Sequence, residues 1–238
     1  MSYDSGSRWP ARSAATEVGI DVGLRQYMLR VYNYMAGGLA LTGVVAYLGA
    51  ASGLYLQIVG TPIYWIVVFA PLGLVLLLGF RIQQMSLPAA QATFWVYAAL
   101  VGLSLSGLLY VYTGASIARV FFITAATFGA TSLYGYTTRN DLTRFGSFLF
   151  MGLIGIIIAS LVNLFLASSA LQFAISVIGV IVFVGLTAYD TQAIKEMYIE
   201  SDGDVITGKK AIMGSLRLYL DFLNLFLMLM QLLGQRRN

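Results

Sequence analysis

Seven runs of apolar residues succeed one another along the chain, at about 28–52, 62–80, 91–112, 116–137, 146–167, 171–194 and 211–233. Each is close to the roughly 20 residues that a helix needs to cross the hydrocarbon core of a bilayer. The gaps between them hold the polar residues, prolines and charges: "ASGLYLQIVGTP", "RIQQMSLPAAQ", "TGAS", "TRNDLTR", "ASSA" and "ESDGDVITGKK". Gaps this short predict spans that pack antiparallel to their sequence neighbours. The ten-residue alternating segments of a membrane β-barrel are absent. The pattern predicts an all-α membrane protein of seven transmembrane helices, with a polar cytoplasmic tail over 1–27 and one helical domain over 28–238.

Composition narrows this reading. Of 238 residues, 59% are hydrophobic and 10% charged, against about 25% charged in an average soluble domain. Cysteine and histidine are both absent, which removes disulfides, thiolate metal sites and Cys- or Ser-His-based catalysis. Hard cations bound through oxygen remain open. The net charge of +4 reads as topology, because no basic cluster with interleaved aromatics suggests a nucleic-acid partner. The first residues, "MSYDSGSRWPARSAATEVGIDVG", lack the apolar core of a signal peptide.

With the N-terminus inside, ten basic residues fall in cytoplasmic segments: Arg8, Arg12, Arg25, Arg30, Arg81, Arg139, Arg144, Lys195, Lys209 and Lys210. Arg119, Arg236 and Arg237 fall outside, and Arg217 lies within a span. The bias favours a cytoplasmic N-terminus. A full seventh span leaves Arg236 and Arg237 on the less favoured side, and a re-entrant last segment would return them. The length of 211–233 favours seven spans. Glycines within spans, among them Gly38, Gly102, Gly129, Gly155, Gly179 and Gly185, are expected to permit close helix approach.

Against this background two carboxylates stand out. Asp190 lies at the end of the sixth run and Asp221 in the middle of the seventh, whereas between Asp21 and Asp190 the only acidic residue is Asp141, in a polar gap. A carboxylate at the centre of a membrane helix costs about 2.5–3.5 kcal/mol on insertion scales. Such groups mark ion paths, proton relays or pH switches. At 100° per residue, Lys210, Gly214, Arg217, Asp221, Asn224, Met228 and Gln231 fall on one face of the seventh span. Leu220, Phe222, Leu223, Phe226, Leu227 and Met230 occupy the other. A polar stripe of this length cannot face lipid, so the last helix should be central. On the sixth span Gln172, Ser176, Gly179, Thr187 and Asp190 share a weaker version of such a face. Depths of about 7 Å from Lys195 to Asp190 and about 15 Å from Lys210 to Asp221 allow the carboxylates to meet in the cytoplasmic half.

Plainer roles compete with this one. Arg217 and Asp221 form an i, i+4 pair that could simply neutralise itself. Asp190 could be an interfacial residue beside Lys195. Arg81 is either a positive-inside anchor or a counter-ion in the same leaflet. Glu196, Glu200, Asp202 and Asp204 read as a solvated loop.

The elements "GLTAYDTQAIKEMY" (Gly185 to Tyr198) and "LRLYLDFLNLFLMLMQLLG" (Leu216 to Gly234) resemble the Bax inhibitor-1 family of membrane proteins, in its bacterial branch. So does "YNYMAGGLALTGVVAY" (Tyr32 to Tyr47) in the first span. The resemblance covers nearly everything after the polar tail. It implies a seven-helix fold whose last helix is wrapped by the others, and a bacterial inner-membrane location. It further implies a pair of aspartates, here Asp190 and Asp221, that share a proton and set a pH-dependent calcium leak. An arginine of the second span latches the first aspartate in the closed form of that family, and Arg81 is the match. The chain departs in its longer tail and in a stretched segment, "IESDGDVITGKK", between the last two spans.

The expectation is therefore a non-enzymatic, pH-sensitive calcium leak. Asp190 and Asp221 would act as sensor, gate and transit oxygens for Ca²⁺. Arg81 or Arg217 would be the counter-ion, and Asn224 and Thr187 would line the pore. No cofactor is expected; the partners are lipid, Ca²⁺ and protons. The alternative is a regulatory protein that contacts a membrane protease or other membrane complex through the tail and the loop 195–210. An intramembrane aspartyl protease is disfavoured, because "LYL" precedes Asp221 where a Gly-x-Gly is required.

Overall fold

The structure, a computed structural model, describes residues 22–237. Nine helices succeed one another among them: α1 (Val22–Ala51), α2 (Leu54–Ile58), α3 (Pro62–Arg81), α4 (Leu87–Leu105), α5 (Leu108–Val111), α6 (Gly114–Thr137), α7 (Thr143–Leu166), α8 (Ser169–Glu196) and α9 (Asp204–Leu233). Seven segments are long and apolar enough to cross a membrane, with α4 and α5 making one crossing. The chain is an all-α membrane protein. Residues 1–21 of the expected polar tail lie outside the described residues, and 22–27 already belong to α1.

The helices start where the polar gaps supply caps. Ser86, Thr113 and Ser168 each accept a hydrogen bond from the backbone N–H three residues on, capping α4, α6 and α8. Pro62 and Pro88 occupy first-turn positions of α3 and α4, where the missing N–H costs nothing.

Helix α9 is the axis of the bundle. It packs against α8, α1, α6 and α4, and Ile212, Leu218, Tyr219 and Leu225 on different sides of it are fully buried. Tyr219 shows why it cannot slide: its hydroxyl shares a 2.6 Å hydrogen bond with Thr42 of α1, and its ring meets Tyr97 and Phe94 of α4 edge-on. Helices α3 and α7 form the rim, where Trp65, Ile66, Phe69, Leu72, Phe80, Phe148, Phe150, Ile158 and Phe165 are exposed in the lipid-facing manner.

Close approach is made by some of the expected glycines and by others. A Cβ on Gly102 would meet the Thr42 carbonyl at 2.6 Å, and one on Gly179 would meet Met228 at 2.9 Å. Gly129 and Gly155 face open space instead. The tightest seam is at Gly135, where α6 runs against the backbone of Ala188 in α8.

At the ends of the last spans one expectation changes and one holds. The segment 195–210 is not a long loop. Helix α8 continues to Glu196 and α9 begins at Asp204, so only 197–203 are non-helical. The helices outrun the apolar window because Lys210 ties the connection down, pairing with Asp202 at 2.5 Å and donating to the Met197 carbonyl. Asp204 sits in the first turn of α9, where the helix dipole favours a carboxylate. At the other end, Arg236 and Arg237 follow a full crossing. The last residues lie along the α5–α6 turn, with Thr113 N–H to Gln235 O at 3.0 Å and Arg237 N–H to Val111 O at 2.9 Å.

Candidate functional site

Asp190 is carried by the last turns of α8 and Asp221 by the middle of α9, two helices in extensive contact. Both side chains border the same cavity. Asp221 is 4% exposed, and its Oδ2 is buried with no hydrogen-bond partner among the described residues. An ionised oxygen in that position would lack any donor, at a cost of about 1–3 kcal/mol or more.

Arg217 stands one helical turn before Asp221. Its guanidinium Nη1 lies 3.8 Å from Oδ1 of Asp190, so the arginine of α9 reaches across to α8 rather than closing an i, i+4 pair with Asp221. Its side chain is half-exposed, on the wall of a cavity that it shares with both aspartates. Arg81, at the end of α3, is exposed and donates to Gln84 Oε1 at 3.1 Å. Helix α3 packs chiefly on α4. Among the described residues the ion pairs are Arg217–Asp190 and Lys210–Asp202.

The three charged residues border a cavity of about 560 Å³ between α7, α8 and α9. Gly146, Ser147, Tyr189, Leu220 and Asn224 contribute to its wall. The cavity exists because α7 packs on α8 and stands off from α9, leaving the polar stripe of the central helix uncovered on that side. Asn224 is on the wall, its amide N–H donating to the Leu220 carbonyl at 2.8 Å. Thr187, expected to line a pore, does not. It is fully buried and donates to the Phe183 carbonyl at 2.7 Å. One turn on, Thr191 bonds Ser132 of α6 at 3.0 Å, which places this face of α8 against α6. The face common to Thr187 and Asp190 is too broad to point into a single space.

Residues around the pair that sequence patterning passed over turn out to brace it. Gln192, two residues after Asp190, clasps the α6–α7 turn: its amide accepts from Leu142 N–H and donates to Asn140 O, both at 2.9 Å. The chain Tyr32–Ser132–Thr191 links α1, α6 and α8. Nothing in their spacing marks these residues, since each partner lies far away in sequence. Outside the membrane spans, at the α6–α7 turn, the Thr143 hydroxyl first, then Thr143 N–H at 2.8 Å and to a lesser extent the Arg144 charge hold the Asp141 carboxyl below the ordinary carboxylate range.

Among the described residues no group of three or more carboxylates, histidines or cysteines is assembled to hold a metal ion.

The chain matches the family described as "Inhibitor of apoptosis-promoting Bax1" over residues 24–238. It is 56% identical over 219 residues to an uncharacterised protein of Rickettsia prowazekii, covering 92% of this chain and 93% of the relative. It is 50% identical to the inner membrane protein YbhL of Escherichia coli, covering 90% and 94%. An uncharacterised membrane protein of Streptococcus pyogenes is 36% identical over 90% of this chain and 95% of its own length. None of these descriptions indicates an enzymatic family. A seven-span bundle around a polar-striped last helix, matched over residues 24–238, makes this chain an integral membrane protein of the Bax inhibitor-1 family.

Proposed function

We propose that the protein is a pH-sensitive cation leak, with Ca²⁺ as the conducted ion, in which the Asp190–Asp221 pair is sensor and gate and Arg217 its counter-ion. The observation that carries this reading is the buried Asp221 and, on the same cavity wall, Asp190 with Arg217 at 3.8 Å from it. With one proton shared, a hydrogen bond between the carboxyls fastens α8 to α9. Loss of that proton at higher pH sets two like charges against each other. Arg217 offsets one of them, and the second frees the helices to part. Ionised, the same oxygens suit a hard divalent cation. Arg217 is the charged group beside the pair, and Tyr189 and Asn224 share its cavity wall. The side bearing the α8–α9 connection is the cytoplasmic one in this reading, consistent with the excess of Lys and Arg there. The bacterial inner membrane is the proposed location, in line with the description of YbhL.

The regulatory alternative draws less support. Most of the segment offered as its contact surface is helix, and Lys209 is spent on the Gln83 carbonyl at 2.9 Å.

The test is Ca²⁺ flux in proteoliposomes titrated over pH for the native chain, Asp190→Asn and Asp221→Asn. The native leak should rise with pH, and each substitution should flatten the profile. An unchanged pH dependence in both variants would overturn the reading.

A further inference from the structure

The cavity at the aspartate pair is not the only opening along this groove. A second, of about 580 Å³, lies between the same three helices toward the α7–α8 turn. Its wall is polar: Asn163 donates to Gln172, and Gln172 and Ser176 both donate to the Gln231 side chain. Arg236, exposed, sits at its mouth.

The two cavities are in register on all three helices. On α7, Leu153 borders the first and Ser160 the second. On α8 the corresponding residues are Phe183 and Ser176, and on α9 Asn224 and Gln231. Each pair is seven residues apart, two turns on the same face, or about 10 Å of rise. One layer of side chains fits between. Gly179 on α8 and Met228 on α9 lie at this level, and Ile156, 6% exposed, is at the corresponding level of α7. Met228 lies in the notch that Gly179 leaves, so close that a Cβ there would stand 2.9 Å from both its Cγ and Sδ.

We propose that this single apolar layer is the barrier of the protein: Met228, seated on Gly179 opposite Ile156, separates two water-filled vestibules that would otherwise form one path through the membrane. The inference rests on the leak reading for its biological sense but not for its geometry. A hydrophobic constriction of this kind closes a path by excluding water rather than by filling it with charge. Methionine suits the position, because three rotatable bonds let it leave a glycine notch without moving backbone. The acid pair, one turn from Asn224, would then act on the barrier by shifting α9 against α8, which unseats Met228.

The absence of cysteine makes a direct test available. Single cysteines are placed at Asn224→Cys in the first vestibule and at Ser160→Cys in the second. Ag⁺, a thiol-reactive cation of ionic size, is applied only to the side bearing the α7–α8 turn in vesicles of fixed orientation. Reaction is scored as lost labelling by a maleimide after solubilisation. Ser160→Cys should react in every background. Asn224→Cys should be protected in the parent and react faster by an order of magnitude or more once Met228→Ala or the nearly isosteric Met228→Gln is added. Equal reaction of Asn224→Cys in the parent overturns the barrier, as does continued protection in both Met228 variants while Ser160→Cys still reacts. Ca²⁺ flux in the same vesicles reads the function separately: faster Asn224→Cys labelling with no added Ca²⁺ leak upholds the barrier and overturns the calcium reading.

Discussion

Gly135→Ala tests how tightly α6 and α8 are joined beside the acid pair. A methyl group at Gly135 would lie 2.2 Å from the Ala188 carbonyl oxygen and 2.9 Å from the carbon atoms behind it. These are backbone atoms of a helix interior, with no rotamer to yield. Restoring ordinary contact requires α6 and α8 to part locally by about 1 Å, the kind of shift that overpacking a tight interface forces at about 1–3 kcal/mol. One turn away, the Ser132–Thr191 hydrogen bond spans 3.0 Å, and such a shift takes it out of range, adding about 1 kcal/mol. The expected loss is about 2–4 kcal/mol, partly offset by the better helix propensity of alanine, up to about 1 kcal/mol. The control is Gly129→Ala in the same helix, where a Cβ meets nothing within 4 Å. It carries the same propensity gain without the clash. Unfolding of both variants in one detergent, followed by far-UV circular dichroism against denaturant, should show Gly135→Ala less stable than the native chain and Gly129→Ala equal to it or more stable. If the two variants unfold together, the close α6–α8 seam is wrong and so is the bracing of Asp190 built on it.

Two further outcomes follow from the site. Arg217→Gln removes the cation 3.8 Å from Asp190, so the flux profile in proteoliposomes should move to more alkaline pH, while Arg81→Gln, whose guanidinium contacts Gln84, should leave the profile in place; the reverse result would make Arg81 the counter-ion. Gln192→Leu strips the partners from Leu142 N–H and Asn140 O and should cost about 1–3 kcal/mol for the buried Leu142 N–H left unpaired, read as faster hydrogen exchange at the α6–α7 turn, with unaltered exchange there counting against the clasp.

Much of the architecture was legible in one dimension because a bilayer imposes its rule residue by residue. A crossing needs about 20 apolar residues and satisfied backbone, so the seven runs and their breaks appear directly in the pattern. The central place of α9 followed from the same rule, since a stripe running from Lys210 to Gln231 has no stable position against lipid. The cost of an intramembrane carboxylate likewise singled out Asp190 and Asp221 without any knowledge of their neighbours. What the sequence left open is everything that depends on which helix faces which. Helical periodicity gives a face but not its partner, so Thr187 shared a side with Asp190 and yet belongs to the α6 contact. Composition cannot tell an arginine that anchors a helix end from one that reaches a carboxylate across a groove, and packing gave that role to Arg217 in this structure. The long polar segment before α9 read as a loop because hydropathy ends where lipid ends, whereas helix hydrogen bonds and the Lys210–Asp202 pair do not. The two vestibules have no signature in the sequence at all. They exist because α7 rests on α8 and stands away from α9, and an empty space between helices is set by the distance between backbones, which only the folded packing determines.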